Sequence, residues 1–163
     1  MNIEINCSIG EIYDKITILI IKKNMILEKN KLNNINKELL LLINKLSRLG
    51  INFKKEELFF DLLKTNLKLW LIEDDIRDFE KKEEFDNNFI KIARSVYIVN
   101  DKRFSIKNKI NNKNNSEVKE VKCYDNLNYD SFLSKSNEIN ILTKDYLNNL
   151  DTKINDLINE FKY

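Results

Sequence analysis

No proline interrupts this 163-residue chain, and only two glycines do, Gly10 and Gly50. Proline stops a helix most firmly and glycine comes next, so a chain rich in Leu, Ile, Lys and Glu with so few of either has little to end its helices. The pattern predicts an all-α fold, an antiparallel helical bundle of four main helices plus a C-terminal amphipathic helix. The length suits a chain with one substantial core. Residues 1–113 are expected as the bundle domain, 114–135 as a linker with a short extended segment near 118–124, and 136–163 as the C-terminal helix.

Charge and composition narrow the partners. With 28 basic and 26 acidic residues the chain has no broad field of one sign, which disfavours nucleic acid and anionic lipid as partners. The sequence has no histidine, so no imidazole is present to act as a base, activate a nucleophile or ligate zinc. Cys7 and Cys123 stand far apart without CxxC spacing, the usage of a reduced chain with no structural disulfide. The longest apolar run, residues 16–21, is too short to cross a bilayer, and no signal peptide opens the chain. The expectation is a soluble cytoplasmic protein without membrane insertion, cofactor or resident metal.

Ser8 followed by Glu11 reads as a capping box that starts a first helix running to about residue 28. Ile12, Ile16 and Leu19 form its stripe, and Ile18, Ile20 and Ile21 add apolar surface on other sides. Such a helix needs cover on several faces, from a central position or from a second subunit, so a homo-oligomer is expected. A second helix, about 32–48, carries Ile35, Leu39, Leu42, Leu46 and Leu49, with Gly50 as its C-terminal cap. In the tail, Ile139, Leu142, Tyr146, Leu150, Ile154, Leu157 and Phe161 fall near a heptad period, as in a docking or coiled-coil helix. The intervening NNKNN, residues 111–115, reads as a linker.

The third helix, about 55–84, places Leu62, Leu69, Ile72, Ile76 and Phe79 on a core seam. Beside that seam Asn66, Trp70, Glu73 and Arg77 recur at helical spacing and share one stripe, which makes Glu73 and Arg77 half-buried candidates, while Asp75 and Asp78 point away. Asp86 caps a fourth helix reaching about residue 110, with Phe89, Ala93, Val96, Tyr97 and Phe104 expected inward. Asn100 and Arg103 sit within that arc. An arginine on an apolar face must pair or reach water, and Glu73 is the acceptor the sequence suggests. A polar cluster inside the bundle follows.

In order and spacing, CSIGEIYDKITILIIK, NLKLWLIEDDIRDFE, FIKIARSVYIVNDKR and SEVKEVKCY resemble an uncharacterised bacterial family of unknown function 6165, over about residues 3–125. The resemblance singles out Gly10, Glu11, Asp14 and Lys15 in the first block, and Asn66, Trp70, Glu73, Asp74 and Arg77 in the second. In the third it singles out Ala93, Arg94, Tyr97, Asn100, Asp101 and Arg103. It implies a setting among genes for lipopolysaccharide or surface-glycan assembly, with a glycan-pathway protein as a partner and no reaction attached. The tail beyond residue 124 lies outside it, and the second helix is a Lys- and Asn-rich variant of the family's segment.

Three readings compete for the cluster. It could be a structural network that registers helices or subunits, since breaking one buried pair typically costs ~3–5 kcal/mol. Alternatively, Lys15, Asn66, Trp70, Glu73, Arg77, Arg94, Tyr97, Asn100, Asp101 and Arg103 could bind an anionic or nucleotide-sugar-like ligand, the arginines holding charge and Trp70 or Tyr97 stacking on a ring. No glycine-rich phosphate loop accompanies them. The third reading is a Mg²⁺-dependent all-α nucleotide hydrolase using Glu11 with Asp14, and Glu73 with Asp74 and Asp101. Against it, Asp74 projects ~100° from Glu73 on the helix.

Overall fold

Local chemistry sets where each helix begins and ends. In the computed structural model, which describes residues 3–122, 129–135 and 137–162, the described residues contain helices and no strand. They form α1 (Ile9–Met25), α2 (Lys29–Arg48), a 3₁₀ turn (Phe53–Lys55), α3 (Glu57–Lys82), α4 (Asn87–Lys113), the short α5 (Tyr129–Leu133) and α6 (Glu138–Glu160). Ser8 Oγ accepts the Glu11 N–H at 3.2 Å, the forward half of the expected capping box. The Glu11 carboxylate goes instead to Lys107. Gly50, at φ 72°, closes α2 in a Schellman turn: its N–H reaches the Ser47 carbonyl, and the Ile51 N–H reaches Leu46. Only glycine adopts that left-handed backbone without steric cost. The Asp86 carboxylate caps α4 by accepting the N–H groups of Asn88 and Phe89.

α1 is the central helix, packed against α2, α3 and α4. Tyr13, Ile16, Leu19, Ile20 and Ile21 are all buried and Ile12 and Ile18 partly so, so the central position covers most of its apolar surface. Tyr13, Phe53 and Phe59 stack edge-on or tilted, with ring centroids 4.7–6.4 Å apart, and close the end of α3 against α1.

Several sequence expectations are corrected. On α3, Leu62 and Ile72 are buried as expected, but their companions are Phe59, Leu63, Leu67 and Leu71; Leu69, Ile76 and Phe79 are only partly buried. On α4 the buried face is Ile92, Ser95, Val99, Ile106 and Ile110, whereas Phe89, Ala93, Val96 and Phe104 are partly buried and Tyr97 is exposed. One residue turns a helix by ~100°, and apolar residues on both arcs made the rotation ambiguous. The NNKNN segment is not a linker from its start: α4 continues through Lys113 because Asn111 is drawn into the core, where its Oδ1 accepts the Gly10 N–H at 2.7 Å. Residues 118–122 form no strand, and positions 123 and 124, with Cys123, lie outside the described residues. Cys7 is an exposed free thiol.

α6 docks on α3 and α4, burying Leu150, Ile154, Ile158 and Phe161. The Tyr146 hydroxyl donates to Asp75 at 2.7 Å, so Asp75 faces α6, contrary to the expectation that it points away. Lys68 on α3 pairs with Asp151 on α6. Burial, with Lys102 adding to it, pulls the Lys68 ammonium below its ordinary pKa against the opposing pull of Asp151. The chain's end is tied back to α1, the Lys162 N–H donating to Asn24 Oδ1 at 2.9 Å. No helix among the described residues is long and apolar enough to cross a membrane.

Candidate functional site

Asp14 stands in the buried stripe of α1 at 4% exposure. A carboxylate so far from water needs partners on all sides, and α3 and α4 supply them. Asn66 donates from Nδ2 to Asp14 Oδ1 at 2.8 Å and to Thr17 Oγ1 at 2.8 Å. Arg103 donates from Nε to Oδ1 at 2.8 Å and from Nη2 to Oδ2, the two-pronged geometry that planar guanidinium offers a carboxylate. Arg103 is thereby held above its usual pKa by the Asp14 hydrogen bonds, against burial. Its Nη1 reaches Asn100 Oδ1 at 3.5 Å. Three helices are thus locked at one point.

One turn further along α4, buried Lys107 pairs with Glu11 and, at 2.7 Å, with Glu120. Burial alone would lower its pKa; the two carboxylates outweigh it and raise it. Asp101 accepts from Lys122 and, at 2.7 Å, from the Tyr129 hydroxyl. Burial pushes its carboxyl up, and those two donors bring it below its ordinary value. The first turn of α1 is fully capped by side chains: Ile9 N–H donates to Ser116 Oγ, Gly10 N–H to Asn111 and Glu11 N–H to Ser8. That helix N-terminus has no free donors for an anion.

Beside this network lies a cavity of about 470 Å³ lined by Val96, Tyr97, Asn100, Asp101, Arg103, Phe104, Lys107, Glu120, Lys122 and Tyr129. Its lining mixes three cations with three aromatic rings. Lys122 Nζ sits 4.8 Å above the Phe104 ring centre. On the other side of Arg103 is a smaller cleft of about 220 Å³ between α1, α3 and α4, lined by Asn66, Trp70, Glu73 and Arg77 among others.

The ten expected site residues therefore divide. Tyr97, Asn100, Asp101 and Arg103 line the larger cavity; Asn66, Trp70, Glu73 and Arg77 line the cleft, with Arg103 common to both. The expected Glu73–Arg103 pair is not formed: Arg103 takes Asp14, and Glu73 pairs with Arg77 of its own helix at 3.3 Å. Both residues are exposed, with about half of each side chain, 50% and 57%, open to solvent. Lys15 is exposed and bridges to Glu38 on α2 at 2.6 Å, away from both cavities. Arg94 donates to the Tyr97 hydroxyl at 3.3 Å and lines a separate surface depression with residues of α6.

The acidic set invoked for a hydrolase is dispersed, Glu11 on Lys107, Asp14 on Arg103, Glu73 and Asp74 on Arg77, and Asp101 on Lys122. Among the described residues no three acidic or thiol groups stand together to hold a metal ion. The sequence reading missed Thr17, Lys107, Glu120, Lys122 and Tyr129, and left Asp14 out of the ligand set. A signal existed for three of them: Asp14 and Thr17 interrupt an apolar stripe three residues apart, and Lys107 follows Arg103 by one helical turn. Comparison with protein-family models, curated proteins and solved structures returns no match.

Proposed function

We propose that this chain is an accessory or regulatory binding protein whose ligand is a small anion carrying a ring, of nucleotide-sugar type, seated in the cavity of about 470 Å³ beside Arg103. The observation that carries the reading is the convergence of Arg103, Lys107 and Lys122 on one cavity that Tyr97, Phe104 and Tyr129 also line. Guanidinium and ammonium groups offer hydrogen bonds to phosphate or carboxylate, and aromatic faces suit a base or sugar ring. The volume falls within the range for small-ligand sites. Support for a role in surface-glycan assembly comes from the four-block family resemblance. A helical bundle with antiparallel neighbours would present α4 as the rigid wall such a site needs.

A second reading has its own support. Both oxygens of Asp14 are taken by Arg103 and Asn66 from other helices, which is the arrangement of a structural network. The two are compatible, because the network would hold Arg103 in place for a ligand. For a homodimer, the remaining support is Leu40 and Leu41, 60% and 58% exposed on α2; light scattering on Leu40→Glu/Leu41→Glu beside the wild type tests it, with a halved mass expected.

The test is a thermal-shift series with nucleotides, nucleotide sugars and sugar phosphates. A ligand bound only by the folded state stabilises it, by ~2.7 kcal/mol at a hundredfold excess over Kd. Wild type should rise in Tm with at least one of them. Tyr97→Ala, altering an exposed side chain, should keep the ligand-free Tm and lose the rise. No stabilisation by any member of the series would refute the binding reading.

A further inference from the structure

Lys107 has two carboxylate partners of different kinds. Glu11 sits on the first turn of α1, which is capped and packed into the core. Glu120 belongs to residues 117–122, a strap without regular secondary structure; the two carboxylates are equally open to solvent, at 44% and 43%, and differ in the segment that carries them. No apolar side chain fastens this strap: Val118 and Val121 are 48% and 82% exposed. Polar contacts hold it, namely Glu120 on Lys107, Lys122 on Asp101 and over the Phe104 ring, and Lys119 on Asn112 at 2.8 Å. Segments with few buried apolar contacts open at low free-energy cost.

From this we infer that Glu120 is an internal stand-in for the ligand's anionic group, and that the ligand binds by displacing it from Lys107 as the strap lifts. The inference rests on the cavity being a ligand site and adds which atoms the anion meets and what regulates access. Charge counting favours it. Among the described residues Arg103, Lys107 and Lys122 are matched by Asp14, Glu11 and Asp101, which leaves Glu120 as a supernumerary negative charge at the cavity wall. Its replacement by an incoming group leaves the local charge unchanged only if that group carries a single negative charge. The chemical class is therefore a compact monoanion, a carboxylate or a phosphodiester, attached to a ring that stacks on Tyr97. A terminal phosphate would bring about one extra negative charge near pH 7 and should bind less well.

The shared chemistry has separable sources. Glucuronate offers a carboxylate on a sugar ring, uridine 3′,5′-cyclic monophosphate offers a singly charged phosphodiester with a base, and glucose 6-phosphate offers a terminal phosphate. Calorimetric titration of each into wild type, Glu120→Gln and Glu117→Gln reads the inference. Glu117 is a strap carboxylate absent from the cavity lining, so its variant makes the same charge change without freeing Lys107. When an internal competitor holds the site nine-tenths of the time, removing it tightens binding by about tenfold.

Expected is such a tightening in Glu120→Gln, little change in Glu117→Gln, and glucuronate or uridine 3′,5′-cyclic monophosphate ahead of glucose 6-phosphate. Tryptic cleavage after Lys119 and Lys122 should accelerate in Glu120→Gln and in liganded wild type, a readout independent of affinity. Equal or weaker binding by Glu120→Gln, or equal tightening in both variants, overturns the stand-in role while leaving the cavity a ligand site. Failure of wild type and Glu120→Gln alike to bind any of the probes, with folded far-UV spectra, overturns both. Glu120→Ala provides a second removal of the carboxylate and must behave as Glu120→Gln does.

Discussion

The two flanks of Arg103 carry similar residues and differ in how they are built. On the α3 side, Glu73 and Arg77 pair within one helix, a turn apart and half in solvent. On the α4 side, Arg103 joins Asp14 across 89 residues of sequence, with Asp14 almost wholly buried. Exposed pairs at helical spacing are screened and contribute little, whereas a buried pair is costly to break because the survivor is left unpaired in a medium that cannot solvate it. Visible charge spacing in a helix therefore marks the weaker of the two regions. The stronger one is formed only when α1, α3 and α4 come together.

The largest effect should come from breaking the long-range pair. Arg103→Met is expected to cost ~3–5 kcal/mol in urea unfolding, because Asp14 loses its guanidinium in the core. Asp14→Leu/Arg103→Met should recover part of that loss, since no lone charge remains. A double variant as unstable as the sum of the singles would break the comparison.

Gly10→Ala comes next. An added Cβ would lie 2.7 Å from Asn111 Oδ1 and 2.8 Å from the Lys107 carbonyl, too close for a packed helix crossing, and strain of that kind costs ~1–3 kcal/mol. Denaturant midpoints for the two proteins measure it.

Tyr13→Phe should move stability the other way at neutral pH. Among the described residues the buried Tyr13 hydroxyl has no hydrogen-bond partner, and removing an unsatisfied buried group recovers ~1 kcal/mol. Burial, then Glu56, raises its pKa from 10.0 to about 12. A phenol whose folded pKa is raised contributes stability that is intact below pH 10 and is lost as pH climbs through 12. The alkaline loss should therefore shrink in Tyr13→Phe, as melts from pH 8 to 12 would show. The smallest effect is expected for Arg77→Ala, whose Tm should match the wild type; a clear drop would give the exposed pair a weight the structure denies it.

How much of this was legible in the sequence follows the same division. Signals carried by neighbours along the chain were readable. The all-helical class follows from missing prolines, and Ser8, Gly50 and Asp86 mark helix ends because caps act over three or four residues. What failed was the choice of individual partners on other helices. Arg103 was assigned to Glu73 on the preceding helix, since nothing in one sequence says that Asp14 on the first helix arrives closer. Asn111 looked like part of a linker because its value lies in capping α1. The inward arc of α4 was misplaced by about one residue's rotation, because Ile92 and Val99 compete with Ala93 and Val96 as equally apolar alternatives. Lys107 and Glu120 meet in a site that local periodicity has no means to show.

The chain's one tryptophan offers a direct decision between the two flanks. In a ¹⁵N correlation spectrum Trp70 gives a single indole signal that reports on the smaller cleft, while the amides of Tyr97, Asn100, Lys107 and Glu120 report on the larger cavity. Titration with the ligand that most raises the Tm should shift the latter signals and leave the indole in place. An indole that shifts while the α4 and strap amides stay fixed would contradict the account and return the site to the stripe on α3.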